Sequence, residues 1–357
     1  MNEELRKLTG CIRPADRKLS EVCACRFDSI AKPLHGLGVF EDLISRIGAA
    51  QENVSVDIRR KALVVFCSDN GVVAEGVTQC GSSVTLDIAG SLARKTSSVC
   101  IMAASAGADV SVIDVGMNAD VEGVRAEKES FGTGNISKGP AMSRETAEKL
   151  ILTGARIIRE LKEAGYGIAA LGEAGIGNTT TAAAVCAALT GMDARTVTGK
   201  GSGLSDAGLE RKIRAVESAL EVNRPDPEDP VDVLAKVGGC DIAAMTGAYL
   251  AAAAFHLPVV MDGMISAAAA YCAYRISRDT ADYIIPSHMS REPAMKVLCD
   301  AMNLQPVIFA DMHLGEGTGA VAMFPLLDLT AAVYHDAAKF GDIGVEQYVD
   351  QNGPGVF

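Results

Sequence analysis

Short apolar runs without polar alternation recur along the 357-residue chain, and each is followed by a polar or glycine-rich loop. Such runs are typical of parallel strands that are covered on both faces. Six runs have this form: residues 62–67, 110–115, 167–171, 258–261, 283–285 and 307–310. Because alanine-rich, helix-like segments separate several of them, the alternation indicates helices around a parallel sheet. We therefore predict an α/β fold, doubly wound and Rossmann-like, with a mostly parallel sheet.

The loops that follow these runs predict where a ligand binds. In an open parallel sheet the carboxyl ends of the strands share one edge, and ligands bind there near the reversal of strand order. The six loops are residues 68–71, 114–117, 172–178, 262–266, 286–290 and 314–319. Glycine, aspartate and serine also form ordinary turns, so one such loop alone indicates little. Taken together, the loops predict a composite active site.

Helical segments flank the predicted core at both ends of the chain. Apolar positions at helical spacing predict an N-terminal helical arm over residues 1–55. The α/β core then spans residues 56–330, and residues 331–357 form a C-terminal helical segment. We expect the arm and the C-terminal segment to pack together as a small helical lobe.

Charge and hydropathy exclude two classes of protein. The net charge of −12 disfavours a nucleic-acid partner, because binding to a phosphate backbone requires a basic surface. The most apolar region, residues 242–274, is interrupted by His256, Pro258 and Asp262. It lacks the roughly 20 continuous apolar residues that a membrane span requires, so we predict no span.

The ten cysteines are spread from Cys11 to Cys299, and no secretory signal peptide is evident at the N-terminus. Cys23 and Cys25 lack a second pair of ligands at zinc-finger spacing, so we do not expect a zinc site. The cysteine pattern predicts buried free thiols in a cytoplasmic protein.

A glycine-rich loop, GEAGIGNTT at residues 172–180, precedes an alanine-rich helical stretch at residues 182–189. Its glycines allow backbone N–H groups to approach a ligand, and Asn178 or Thr179 is a natural N-cap. A helix N-terminus with exposed amides and hydroxyls suits a phosphate monoester, although a ligand-free strand-to-helix turn has the same composition. The loop has neither GxxxxGK[ST] nor GxGxxG, so it does not indicate a nucleotide triphosphate or dinucleotide.

A second glycine-rich turn, residues 198–206, leads into a helix that carries Arg211, Lys212 and Arg214, with Ser205 as the expected cap. One of these cations is a candidate to face the same phosphate. On spacing alone, however, a group of cations on a helix usually forms a solvated face.

Glu316 lies between glycines in LGEGTGA, residues 314–320. A carboxylate with small neighbours can approach a substrate nitrogen closely, and burial beside an aromatic base raises its pKa toward that of a general base. Glu173 is a second carboxylate at the same edge, and either residue alone is also consistent with a turn cap. Since no HExxH, GxSxG or Cys/His pairing is present, we expect catalysis by positioning and carboxylates.

These segments together resemble the nicotinate-nucleotide:dimethylbenzimidazole phosphoribosyltransferase family. The matching stretches, in the family's order, are residues 69–77, 114–116, 139–142, 172–180, 198–203, 237–239, 242–244, 259–265 and 314–320. The joint occurrence of GEAGIGNTT and LGEGTGA is the most specific part of the match. The resemblance implies transfer of ribose 5-phosphate from nicotinate mononucleotide to 5,6-dimethylbenzimidazole. The products would be nicotinate and α-ribazole 5′-phosphate, which is used to assemble the nucleotide loop of cobalamin.

The resemblance also implies roles for individual residues. Glu316 would be the catalytic base that takes a proton from the attacking azole, in a direct displacement with inversion at the anomeric carbon. The positions that would line the substrate site are Ser82, Glu173, Gly175, Gly177, Asn178, Thr179, Lys212, Ser290, Gly315 and Gly317. Of these, Gly175, Lys212 and Ser290 would lie near the phosphate. The resemblance implies a homodimer. It also implies neither a metal nor another cofactor, because nicotinate leaves from a positively charged pyridinium and no pyrophosphate needs to be neutralised.

The chain departs from the family's pattern at several positions. Asn70 stands where histidine is common, Asp241 where glutamate is usual, and His313 where arginine often precedes the Leu-Gly-Glu loop. Residues 79–84, which correspond to part of the base pocket, lack the familiar proline or aromatic residue. The acceptor is therefore open among dimethylbenzimidazole, another benzimidazole, adenine and a phenol.

Two other functions remain open from the sequence. A non-catalytic partner subunit of a heterodimeric homologue, using a phenolic or purine base, would be expected to lose the carboxylate that Glu316 retains. A nicotinate mononucleotide nucleosidase would need water at the position of the acceptor base. An activity assay with and without an acceptor distinguishes the nucleosidase.

Overall fold

The computed structural model describes residues 1–349, and its six-stranded sheet is parallel at every pair of neighbouring strands. Residues 350–357 of the predicted C-terminal segment lie outside the described part of the chain. The strands are β1 (Lys61–Ser68), β2 (Ala108–Gly116), β3 (Arg125–Ala126), β4 (Ile168–Ala174), β5 (Val259–Met261) and β6 (Ile284–Pro286). Their spatial order is β3-β2-β1-β4-β5-β6, which confirms the predicted doubly wound fold.

Helices cover both faces of this sheet. They are α1 (Glu3–Cys11), α2 (Arg17–Ser29), α3 (Val39–Gln51), α4 (Ser83–Ala93), α5 (Ser98–Ser105), α6 (Arg144–Glu163), α7 (Asn178–Thr190), α8 (Ala194–Val197), α9 (Asp206–Asn223), α10 (Pro230–Val237), α11 (Cys240–Ala254), α12 (Met264–Ile276), α13 (Ala294–Met302) and α14 (Thr318–Asp336). Short 3₁₀ helices lie at Gly71–Glu75, Arg278–Tyr283 and Phe340–Ile343. Within residues 1–349, none of the helices combines the length and the apolar character that crossing a bilayer requires.

Strand β1 shows why the apolar runs lack polar alternation. All of its residues are buried. Val64 and Phe66 belong to the apolar core on one face of the sheet, whereas Leu63 and Val65 belong to the core on the other face. Because successive side chains point to opposite faces and helices cover both, every position must be compatible with a buried environment.

The strand predictions were wrong at one run and missed one strand. Residues 307–310 do not form a strand, because the backbone N–H groups of Val307 and Ile308 both donate to the carbonyl of Ser287. The chain therefore makes a single parallel bridge, between Ile308 and His288, instead of a ladder. The remaining strand, β3, consists of two exposed residues at the edge of the sheet, which is too short to leave a periodic signal.

The N-terminal segment packs on both faces of the sheet. On one face, the ring of Phe27 in α2 lies 4.9 Å from that of Tyr334 near the end of α14, and Arg26 donates to the Tyr334 carbonyl at 3.0 Å. On the other face, Leu5 of α1 joins the core that α6 and α11 build. Phe27 of α2 thus contacts α14, while the small helical lobe and its division at residues 55 and 330 stay predictions.

The cysteines are distributed through the fold. Most are buried, as expected from the sequence, whereas Cys11 and Cys25 are exposed and Cys80 is half-buried. Burial raises the pKa of the Cys186 and Cys240 thiols to about 12, so these thiols are poor nucleophiles at neutral pH.

Candidate active site

The carboxyl ends of β4, β5 and β6 open into a cavity of about 220 Å³. Residues from four of the six predicted loops line this cavity, namely those at 172–178, 262–266, 286–290 and 314–319. The loops at 68–71 and 114–117 do not belong to the lining. Ser68, Asp69 and Asn70 are instead buried beneath the β4–α7 loop, while residues 77–80 and 200–204 contribute to the cavity.

The β4–α7 loop brings the amino end of α7 against this cavity. Gly175 packs so tightly that a Cβ at its position would lie 2.4 Å from the carbonyl oxygen of Ser68. Gly177 has a φ of 94° and is the N-cap of α7, where no side chain caps the helix. Because the positive end of the helix dipole lines the cavity, this end suits an anion such as a phosphate.

Asn178 does not cap α7 as the sequence suggested. Its amide nitrogen donates to Glu173 Oε2 and also to Asp241 Oδ2, the latter at 3.0 Å. Burial raises the pKa of both carboxyl groups, and repulsion from Asp241 raises that of Glu173 further. The side chain of Asn178 therefore bridges two buried carboxyl groups.

Lys212 is the buried cation of the site. Its Nζ donates to Thr179 Oγ1 at 2.8 Å and to the Gly199 carbonyl at 3.0 Å, which joins α9 to the first turn of α7. Burial lowers the pKa of Lys212 to about 8, although Glu292 acts in the opposite direction. The expectation of a solvated face is thus wrong for this lysine, because it shares the buried stripe of α9 with Gly208 and Val216.

Glu316 occupies a strained position beside the amino end of α14. Its φ is 60°, a conformation that costs a non-glycine residue roughly 1–3 kcal/mol, and Gly315 and Gly317 on either side also have positive φ. The Oε2 atom of Glu316 is buried without a hydrogen-bond partner among residues 1–349. Burial raises the pKa of this carboxyl group, and the nearby charge of Asp262 raises it further. Both effects make the Glu316 carboxylate a stronger base.

Most residues predicted for the site line the cavity together: Glu173, Gly175, Gly177, Asn178, Thr179, Lys212, Ser290, Gly315 and Glu316. Two predicted residues lie outside the lining. Gly317 is the N-cap of α14, directly after Glu316. Ser82 is the N-cap residue of α4.

Several polar residues of the lining were not predicted as site residues, among them Asp262, His288 and Glu292. The Gly201 N–H donates to Glu292 Oε1 at 2.9 Å. His288 Nδ1 lies 3.9 Å from Asp262 Oδ1, and burial lowers the pKa of this histidine. A single polar residue after a strand resembles an ordinary turn residue. The signal that could have identified these residues was their position after the carboxyl end of β5 or β6, where ligands bind in such sheets.

One group within residues 1–349 has the geometry of metal ligands: Asp28, His35 and Glu41. None of the three lines the cavity. The ammonium of Lys32 lies 2.7 Å from Glu41 Oε1, so a cation already neutralises that carboxylate. This group therefore has no place in the chemistry of the cavity.

Comparison with known proteins identifies the family. A family model described as phosphoribosyltransferase (DBI_PRT) matches residues 12–345. A nicotinate-nucleotide–dimethylbenzimidazole phosphoribosyltransferase of Ruminiclostridium cellulolyticum is 43% identical over 325 residues, covering 90% of this chain and 92% of that protein. The protein of the same name from Acetivibrio thermocellus is 41% identical over 328 residues, covering 91% and 93%.

Solved structures agree with the sequence comparison. The crystal structure of CobT from Thermus thermophilus matches with a TM-score of 0.87 and 37% identity, covering 93% of this chain and 100% of that one. The residues that the family model matches, 12–345, include the whole sheet and the loops that line the cavity. This chain belongs to the DBI_PRT phosphoribosyltransferase family.

Proposed function

We propose that the protein transfers ribose 5-phosphate from nicotinate mononucleotide to 5,6-dimethylbenzimidazole, releasing nicotinate and forming α-ribazole 5′-phosphate for cobalamin assembly. Two of its relatives, at 43% and 41% identity, carry the name of this activity. The observation that carries the proposal is that Glu316 and Lys212 line one cavity. A base for the acceptor and a cation for the phosphate are the two groups that this transfer needs.

The phosphate of the nucleotide binds at the amino end of α7. Gly175 and Thr179 line that end of the cavity, and the helix dipole attracts the anion. Lys212 supplies the charge that compensates the phosphate, while Ser290 adds a hydroxyl donor from the loop after β6. Binding energy from the phosphate thereby holds the anomeric carbon near the Glu316 end of the cavity.

Glu316 acts as the general base. The azole acceptor has one nitrogen with a lone pair and another nitrogen that carries a proton. As the first nitrogen attacks the anomeric carbon, Glu316 takes the proton from the second, and the bond from ribose to nicotinate breaks. The bonding electron pair returns to the pyridinium nitrogen, so the leaving nicotinate needs no proton. Glu316 then releases the acquired proton to solvent.

The acceptor binds between the Glu316 loop and the segment after β1. Val77, Cys80 and Ile88 line the cavity there, and this part of the lining has no aromatic side chain. These apolar side chains suit the flat face of a benzimidazole. The same lining is also compatible with adenine or a phenol, so a competition among acceptors belongs in the test.

The protein acts as a homodimer in the cytoplasm. The homodimer follows from the resemblance to the family, and the absence of a disulfide among the ten cysteines, all within residues 1–349, supports a cytoplasmic location. Analytical ultracentrifugation of the purified chain tests the first statement, because a monomer at micromolar concentration would contradict it.

The activity assay offers nicotinate mononucleotide together with dimethylbenzimidazole, adenine and a phenol, and identifies the nucleotides by mass spectrometry. We expect α-ribazole 5′-phosphate as the main product. Release of free ribose 5-phosphate without an acceptor would instead indicate a nucleosidase. Activity that requires a second, homologous chain would indicate a heterodimeric enzyme.

A further inference from the structure

Asp262 follows the last residue of β5 and is buried beside the Glu316 loop. Its carboxylate accepts three backbone N–H groups from the start of α14. Gly317 donates to Oδ2 at 3.1 Å, while Gly319 and Ala320 donate to Oδ1 at 2.8 and 3.0 Å. One side chain from the sheet therefore holds the segment that directly follows Glu316.

Local structure alone does not fix this segment. The first N–H groups of a helix have no partner within the helix, and α14 has no side-chain cap, because Gly317 is its N-cap. Glu316 itself has a left-handed backbone conformation, which persists only where the surroundings determine it. Asp262 provides that constraint from the loop after β5. Its carboxylate lies at the amino end of α14, where the helix dipole favours a negative charge.

The charges around Glu316 come from several elements. Asp262 follows β5, Glu173 is the last residue but one of β4 and His288 follows β6, while His313 lies in the same loop as Glu316. His288 is 3.9 Å from Asp262, and burial lowers the pKa of this histidine, although the charge of Asp262 acts in the opposite direction. Of these groups, Asp262 raises the pKa of Glu316 directly.

We propose that Asp262 is a positioning residue for the transfer reaction, which fixes the Glu316 carboxylate toward the acceptor base by binding the N–H groups of Gly317, Gly319 and Ala320. This inference rests on the function proposed above. A second consequence is that the negative charge of Asp262 strengthens Glu316 as a base, since it opposes formation of another anion nearby.

The test is the variant Asp262→Asn in the full-length protein. The amide keeps the shape of the side chain but removes its charge and replaces one acceptor with a donor. We expect kcat to fall roughly ten- to a hundred-fold, as for loss of a charge-assisted hydrogen bond, with KM for both substrates nearly unchanged. The acidic limb of the kcat profile should move to lower pH, because Glu316 loses a neighbouring negative charge.

Asp114→Asn is the matched control. Asp114 is equally buried, lies near the end of β2 and accepts the backbone N–H groups of Gly116 and Met117, but it does not line the cavity. This variant should lower the melting temperature without moving the acidic limb of kcat. Asp262→Ser, which retains an oxygen acceptor without charge, gives a second measurement at the site itself.

Each outcome decides the proposal. A kcat loss with an unshifted KM and a displaced acidic limb in Asp262→Asn supports it. A wild-type kcat in Asp262→Asn, or an acidic limb of kcat at the wild-type pH, overturns the proposal. Failure of both Asp262 variants to fold also overturns it, because Asp262 would then have a purely structural role. If the wild-type enzyme makes α-ribazole 5′-phosphate, any of these failures concerns Asp262 alone. If it does not, the proposed function itself fails.

Discussion

The ammonium of Lys212 lies 2.8 Å from the hydroxyl oxygen of Thr179, in the first turn of α7. A buried cation at the positive end of a helix dipole is unfavourable unless an anion accompanies it. The side chain of Lys212 is nevertheless fully buried, and its pKa is lowered to about 8. This arrangement is stable in the protonated form when a phosphate binds at the same helix end. Under the proposed function, the site is therefore preorganised for the phosphate of the nucleotide.

Replacing Lys212 with methionine removes this charge and approximately retains the volume. We expect KM for nicotinate mononucleotide to rise about ten- to a hundred-fold, because a charge-assisted contact contributes roughly 1.5–3 kcal/mol. KM for the acceptor should change little. Arg214→Ala, an exposed cation on the same helix, is the matched control and should leave both constants at their wild-type values. Equal effects of the two variants would contradict a phosphate contact at Lys212.

The lowered pKa of Lys212 predicts a pH dependence for nucleotide capture. Below a pH of about 8 the free enzyme contains a protonated lysine, which attracts the phosphate; above it the charge is lost. The phosphate is mostly a dianion above about pH 6 and does not change further. We expect kcat/KM for the nucleotide to decline through pH 8 and above in the wild type. The Lys212→Met profile should lack this limb, and a limb of equal size in both proteins would exclude Lys212 as its origin.

The sequence predicted the doubly wound fold because apolar runs of three or more residues mark strands that are buried on both faces. The run at residues 283–285 was enough to predict a short strand, which the structure has one residue further on, as β6 at Ile284–Pro286. Residues 307–310 are similarly apolar, but they make only one bridge, between Ile308 and His288, at the edge of the sheet. An apolar run alone does not reveal whether a segment forms a full strand or a single bridge.

Site residues could be predicted from local sequence where glycines surround a polar residue, as at Glu316. Residues whose role depends on tertiary contacts could not be predicted in this way. Lys212 was identified through the family resemblance, whereas its local sequence suggested a solvated face. Its burial depends on the way α9 packs against α7, which is a tertiary contact. Asp262 was placed at the functional edge by its position in the loop after β5, but its role was not predictable, since its three partners lie more than fifty residues further along the chain.

The close packing of Gly172 against the Glu316 loop predicts a defect in the variant Gly172→Ala. A Cβ at Gly172 would lie 2.3 Å from the carbonyl oxygen of Glu316, and that backbone must move. We expect a loss of stability of about 1–3 kcal/mol, as for overpacking, together with a lower kcat. In the control Gly139→Ala the Cβ would meet no atom within 4 Å, so stability and kcat should stay near wild type. An unchanged kcat in Gly172→Ala would mean that the loop tolerates displacement.

Glu316→Gln tests the base directly. The amide keeps the size of the side chain and loses its basicity, so the variant should fold and bind both substrates. General-base contributions run about 10²–10⁴-fold, and the loss should appear in kcat with KM nearly unchanged. Acceptors that ionise readily should recover part of the rate, because they need less help in releasing a proton. If the variant kept more than about a tenth of wild-type kcat, the loss of rate would be smaller than the low end of that range. Glu316 would then be excluded as the base. Glu173, a second carboxyl group of the lining whose pKa is raised by burial, would then be tested by Glu173→Gln in the same assay.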